Sequence, residues 1–223
     1  MQTADKTELA RVYARRFAPM QAYRQKVWGV LVSDFFQSLV PETGAILDLG
    51  CGYGEFINQV KAARKFGMDL NPGSREHIAP EVQLIQQDCS SPWPLRDSEL
   101  DVVFTSNFFE HLPDKLTLGR TLEEIFRCLK PGGRLIAMGP NIRFTGGRYW
   151  DFWDHYLPLT EASLSEGLCA REFKIDQCHP RFLPYTMAKG LRYPLVLLRI
   201  YLRVPLLWRW LGEQFLVIAR RPA

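Results

Sequence analysis

The stretch "AILDLGCGYGEF", residues 45–56, decides the fold. Ala45, Ile46, Leu47 and Leu49 are apolar around Asp48, and Gly50, Gly52 and Gly54 follow at G-x-G-x-G spacing. That order reads as a buried strand entering a glycine turn, where open α/β sheets hold nucleotides. A dinucleotide fingerprint spaces its glycines G-x-G-x-x-G and binds a pyrophosphate. Here the spacing differs, and Asp48 stands two residues before the first glycine. A carboxylate at that place repels a pyrophosphate and suits a ligand that carries an ammonium group.

Strand and helix patterns alternate outward from this turn. Val27, Leu31, Phe35 and Leu39 recur every four residues, which predicts a helix ending near Pro41. Residues 55–64 are expected to form the helix after the glycine turn, with Phe56, Ile57 and Val60 inward. "KFGMDL" ends at Asp69 before the turn signal "NPGS" and reads as a second strand. "VQLIQQD" and "LDVVFTSN" read as the third and fourth. Leu118, Leu122, Ile125, Phe126 and Leu129 share one helical face, "PGG" at 131–133 stops that helix, and "RLIAMG" follows as strand five. Thr160 is placed to N-cap a further helix. "EFKIDQCHPRF" and "EQFLVIARR" supply strands six and seven. The expected fold is α/β: a Rossmann-like, doubly wound, seven-stranded, mainly parallel sheet with helices on both faces. One domain would span 1–223, with an N-terminal helical cap at 1–42 and a helical insert at 184–212 before the last strand.

Asp48, Asp69, Asp88 and Asn107 fall at or just beyond predicted strand ends, the ligand-binding edge of such a sheet. Asp69 is placed to accept hydrogen bonds from both hydroxyls of a ribose, and Asp88 from the exocyclic amine of an adenine. Ribose, adenine and an amino-acid head describe S-adenosylmethionine. In "LDLGCGYGEF", "GMDLN", "QQDC", "DVVFTSNFFEHL" and "LKPGGRLI" the chain resembles the class I S-adenosylmethionine-dependent methyltransferases over roughly residues 27–140. The resemblance implies that Asp48, Gly50, Cys51 and Gly52 surround the methionine part and that Asp69 holds the ribose. It also implies that Leu70, Asp88 and Cys89 meet the adenine and that Asn107 contributes near the ammonium. The small-molecule, ubiquinone-pathway-like branch is the nearest in pattern.

Methyl transfer from a sulfonium is an in-line displacement, and a hydroxyl acceptor benefits from a nearby base. His111 in "FFEHLP" and His155 in "WDHYLP" are the two candidates. Tyr149, Trp153 and Tyr156, in the aromatic stretch "YWDFWDHYLPLT", are the candidate acceptor contacts. That stretch also resembles bacterial methyltransferases of envelope-glycan pathways. Ubiquinone-pathway relatives carry Glu-x-x-Glu-His after strand four, where the acids can serve a metal. Here Asn107 replaces the first acid, so no metal is expected. "SNFFEH" lacks the paired prolines used by nucleobase-amino methyltransferases to hold a flipped base.

Composition is that of a globular protein, 47% hydrophobic and 23% charged, with a net charge of +4 too mild to indicate nucleic acid. Five scattered cysteines without C-x-x-C spacing give neither a disulfide framework nor a zinc site. With no apolar core in its first residues, the chain is expected to be cytoplasmic. Between Pro194 and Pro205, "LVLLRIYLRV" is far shorter than the ~20 residues of a membrane span. Its apolar, arginine-bearing and aromatic-edged character suits a membrane surface, with contact through 189–211, or a lid over a greasy substrate, the alternative being packing on the sheet or on another subunit. The reading is a methyltransferase acting on a small or lipid-linked acceptor, at oxygen, at the inner face of the membrane. The competing readings are a non-catalytic scaffold or activating partner of the same fold, and an RNA or protein methyltransferase.

Overall fold

A computed structural model describes residues 20–185 and 192–223. The first nineteen residues of the expected helical cap, and 186–191 of the insert, lie outside the described residues. Helix α1 (Gln21–Asp34) precedes strand β1 (Ala45–Leu49), which is followed by β2 (Arg64–Met68), β3 (Val82–Ile85) and β4 (Leu100–Ser106). Then come α2 (Lys115–Cys128), β5 (Leu129–Pro140), the single turn α3 (Ile142–Thr145), α4 (Glu161–Cys169) and β6 (Lys174–His179). Helices α5 (Leu195–Arg203) and α6 (Pro205–Leu211) form the insert, and β7 (Gln214–Arg220) ends the fold.

The seven strands form one sheet in the order β3-β2-β1-β4-β5-β7-β6. Strands β1 to β5 pair in parallel, whereas β7 runs antiparallel to both β5 and β6. Strand order reverses between β1 and β4, which opens a crevice beyond their carboxyl ends, where such sheets bind ligands. The sheet is buried on both faces, and alternate residues divide between two cores. Val103, Leu135, Ala137 and Val217 pack with Leu118, Leu122 and Ile125 of α2 and with Leu164 and Leu168 of α4. Val102, Phe104, Ile136, Met138 and Leu216 pack with Val27, Trp28 and Leu31 of α1 and with Tyr201, Leu202 and Trp208 of the insert.

Two local expectations are corrected. Residues 55–59 form turns and 60–63 an irregular lead into β2, with isolated helical bonds from Asn58 N to Gly54 O and from Val60 N to Phe56 O. Phe56, Ile57 and Val60 are nevertheless buried as expected, and Phe56 stacks on Phe104. The Gln37 side chain accepts from Lys61 N and donates to Lys61 O, which fixes the chain in a non-helical path into β2. The helix expected to reach Pro41 ends at Asp34 and continues as a 3₁₀ turn over Phe36–Leu39. Phe35 and Phe36 meet different partners there, Phe35 packing on Phe182 and Phe36 on Phe104. Thr160 does N-cap α4, in a reciprocal capping box with Ser163.

Gly212 joins the insert to β7. A Cβ there would lie 2.6 Å from the Trp208 carbonyl oxygen and 2.8 Å from backbone atoms of both Arg181 and Phe182. Backbone cannot swing aside as a side chain can. Gly212→Ala is therefore expected to destabilise by about 2–3 kcal/mol. In a thermal melt this reads as a Tm lower by about 4–12 °C.

Candidate active site

The glycine turn is built as its sequence requires. Gly50, Gly52 and Gly54 have φ of 74°, 52° and 75°, a region open to glycine and costly to residues with a Cβ. At Gly50 a Cβ would also fall 2.4 Å from the Phe108 ring. Asp69, one residue past β2, pins the turn from the neighbouring strand. Its Oδ2 accepts from Gly52 N at 2.7 Å and its Oδ1 from Asn71 N at 2.8 Å. Each carboxylate oxygen retains acceptor capacity beyond that one bond.

Beyond the turn a cavity of about 190 Å³ opens at the β1/β4 crevice. Asp48, Gly50, Cys51, Gly52, Asn107, His111 and His155 line it, so the structure gathers the predicted methionine-end residues and both candidate bases around one space. Asp69, Leu70, Asp88 and Cys89 do not line it. Asp88 Oδ1 accepts from Ser90 N and Ser90 Oγ in a local turn. The Cys89 thiol is buried against Thr121 Oγ1, and burial pushes it up to about 11. Leu70 is exposed, at the rim of the β2 end.

The predicted acceptor aromatics are placed differently from one another. Tyr149 is wholly buried and packs its ring 4.8 Å from that of His155. Trp153 and Tyr156 are 80% and 53% exposed and do not line the cavity. Phe152 and Tyr185 line it instead. Sequence reading also passed over Arg24, Glu55 and Gln214, which line the cavity together with Glu110 of the "FFEH" motif. Arg24 enters from α1 and pairs with Glu55 at 2.9 Å, a contact between residues 31 apart that no local pattern reveals. Gln214 is 4% exposed; its Nε2 donates to Pro184 O, while its Oε1 is buried without a hydrogen bond among the described residues.

The two histidines come from loops joined through the backbone. Tyr156 N and Leu157 N both donate to Glu110 O, at 2.8 and 3.1 Å, which ties the 152–157 loop to the turn after β4. The His111 and His155 ring centroids are then 5.0 Å apart. His111 Nδ1 lies 2.7 Å from the Asp154 carbonyl oxygen and 3.3 Å from Asp154 Oδ2. A carbonyl oxygen only accepts, so Nδ1 carries the proton and the neutral ring keeps its lone pair on Nε2. Glu110, His111 and His155 also offer three ligand atoms within 4.8 Å of one another. Donors bonded at 2.0–2.1 Å to a tetrahedral ion stand only ~3.4 Å apart. A 4.8 Å envelope therefore does not by itself select an ion over paired imidazoles beside a carboxylate.

The electrostatics of the turn are acidic. Burial, reinforced by Glu55 and Asp69, raises the Asp48 carboxyl well above the usual carboxylate range, and the Ile57 amide opposes this only weakly. Burial also raises Asp69, against the Asn71 and Gly52 amides that favour its ionised form. An ammonium arriving among these groups relieves their repulsion.

Residues 47–137, the glycine turn through β5, match the family described as "Methyltransferase domain". These residues carry a methyltransferase domain of the class I S-adenosylmethionine-dependent kind. A Mycolicibacterium smegmatis protein named "Probable S-adenosylmethionine-dependent methyltransferase" is 32% identical over 59% of this chain and 52% of its own length. The demethylmenaquinone methyltransferase of Symbiobacterium thermophilum is 31% identical over 52% of this chain and 51% of its own. The chain thus spans about half the length of the curated relatives it matches. A SAM-dependent methyltransferase from Archaeoglobus fulgidus superposes with a TM-score of 0.67 at 20% identity, over 88% of this chain and 94% of that one, and shares the fold.

The cofactor of this methyltransferase family is S-adenosylmethionine, and the residues present fit it. Asn107, held at φ 50° beside the turn, has a buried Oδ1 with no hydrogen bond among the described residues, an acceptor suited to an ammonium. Gly50 and Gly52 line the cavity without a Cβ, and Asp69 lies beside them at the β2 end, bonded to Gly52 N. No observation on Asp88 or Cys89 adds to this, so their adenine roles rest on the resemblance.

Proposed function

We propose that the chain transfers a methyl group from S-adenosylmethionine to a hydroxyl oxygen of a small or lipid-linked acceptor, with His111 as general base. The observation that carries this reading is the His111–Asp154 contact. It fixes the proton on Nδ1 and leaves Nε2 as the basic nitrogen of a residue lining the cavity. The bound cofactor supplies an electrophilic methyl. Asp48, Gly50, Gly52 and Asn107 hold its amino-acid end, and Asp69 its ribose. His111 Nε2 takes the acceptor proton as the oxygen becomes nucleophilic, and the Asp154 carbonyl and carboxylate steady the imidazolium that forms. His155, packed on Phe152 at a 4.7 Å ring separation and backed by Tyr149, shapes the wall beside it. Gln214 Oε1 orients the acceptor by accepting a hydrogen bond that no described residue supplies.

The greasy side of the reading rests on the cavity's far wall. Phe152, Leu183, Pro184 and Leu198 line it, and Leu198 belongs to α5, whose outer face is apolar. A relative named for demethylmenaquinone is consistent with an acceptor of this kind. The site of action would be the cytoplasmic face of the inner membrane.

The test is incubation with isotopically methyl-labelled S-adenosylmethionine and a panel of polyprenyl-linked sugars, long-chain phenols and their amine analogues. The expected result is label in a lipid-soluble product whose carbon spectrum shows a methyl ether. Label found only in N-methyl products would contradict the oxygen reading. Transfer confined to water-soluble acceptors would remove the lipid-linked one.

A further inference from the structure

We propose that α5 and α6 form a docking face for an anionic membrane surface, so that the cavity opens where a lipid-borne acceptor lies. The proposal deepens the lipid-linked reading above. Of the thirteen exposed large hydrophobic residues among those described, eight fall between Tyr193 and Leu211. On α5, Val196, Ile200 and Val204 recur every four residues with Leu197 beside them, all more than a third exposed. The opposite side of the same helix is fastened to the protein. There Tyr201 and Leu202 are buried, Tyr201 Oη donates to the Phe182 carbonyl, and Leu195 and Leu198 pack against the core. Helix α6 repeats the arrangement in seven residues, burying Trp208 and exposing Leu206, Trp210 and Leu211.

Charge identifies the occupant. Residues 192–212 contain four arginines and no acid. Arg199 is bound by Asp34 of α1 at 2.6 and 2.8 Å, which anchors α5. Arg203 and Arg209 are exposed beside the apolar residues, and Tyr193 and Trp210 stand at its two ends. Apolar area flanked by arginine and edged by aromatics matches the boundary between anionic headgroups and acyl chains. A second copy of this chain would instead bring arginine against arginine, with no acid in either 192–212 segment to pair them. No helix of the described residues is long and apolar enough to cross a membrane, so these helices would lie on it. Because Leu198 lines the cavity from the inner side of α5, docking and acceptor entry share one helix.

The experiment is co-sedimentation of the full chain with vesicles of phosphatidylcholine alone or with about one-third phosphatidylglycerol. S-adenosylhomocysteine binding is measured in parallel on every variant. Expected is binding at least tenfold stronger to the anionic vesicles, with a blue shift of Trp fluorescence. Ile200→Gln combined with Trp210→Ala is expected to lower vesicle binding at least tenfold. Arg203→Gln with Arg209→Gln is expected to remove the preference for anionic lipid. All four positions are exposed, and unchanged S-adenosylhomocysteine binding shows that the variants fold. Wild type left in the supernatant with intact S-adenosylhomocysteine binding would overturn the docking face while leaving the methyltransferase reading untouched. Vesicle binding indifferent to these substitutions would overturn it, as would a lipid-free dimer that they dissociate.

Discussion

His111→Ala is expected to lower kcat by about 10²–10⁴-fold, the range of a positioned general base. S-adenosylhomocysteine affinity should stay within about threefold, because the imidazole acts on the acceptor proton and the turn holds the cofactor. Asp154→Asn should cost less, about 10-fold, near the lower end for groups that orient a functional histidine. The asymmetry follows from the contact itself. Both the carbonyl and the carboxylate of Asp154 face His111 Nδ1, and the substitution leaves the carbonyl in place. Single-turnover methyl transfer with an acceptor from the screen separates this loss of rate from a loss of binding. Equal rates in wild type and His111→Ala would reduce His111 to a packing residue and shift attention to His155.

Acidification is expected to move the stability supplied by Asp48 and Asp69 and the cofactor affinity in opposite directions. Asp48 and Asp69 both have carboxyls raised by burial, Asp48 further by Glu55 and Asp69. In the folded, cofactor-free protein they hold protons that the unfolded chain has already released, so the folded state binds more protons in that window. The share of stability that these two acids supply without cofactor is then greatest below the ordinary carboxylate range and falls as pH rises through the raised values. Binding runs the other way. The amino-acid ammonium and the ribose hydroxyls are held by ionised carboxylates, so affinity climbs as these groups lose their protons. Thermal melts with and without S-adenosylhomocysteine, from about pH 5 to pH 8, should show a stabilisation by ligand that widens with pH. Asp48→Asn should flatten the cofactor-free slope. A ligand-induced Tm shift that is constant or shrinks with rising pH would contradict the roles given to these acids.

What the sequence disclosed was what lies within one element. The run 45–49, the acid closing β2, the Thr160 cap and the helical face of Leu118, Leu122 and Ile125 are local patterns, and each is present as read. Contacts between elements were not legible. His111 meets Asp154 across 43 residues because two backbone amides dock on Glu110, a bond to which side-chain identity contributes nothing. Arg24 reaches Glu55 only once α1 has packed across the sheet. Periodicity made residues 55–64 helical, but Gln37 clamps Lys61 from outside that segment and prevents it. The aromatic stretch near 150 gave no sign of which ring turns inward. Tyr149 is buried behind His155, Phe152 faces the cavity, and Trp153 faces solvent.

The central claim is that the glycine turn and Asp69 together hold S-adenosylmethionine, and calorimetric titration with S-adenosylhomocysteine tests it directly. Wild type should bind one equivalent with micromolar affinity, corresponding to about −8 kcal/mol. Asp69→Ala, which removes both the ribose acceptor and the bond that pins Gly52, should bind at least about 100-fold more weakly, the loss of two charge-assisted hydrogen bonds. Folded wild-type protein that takes up no S-adenosylhomocysteine would contradict the account, and so would an Asp69→Ala variant that binds it as tightly as wild type.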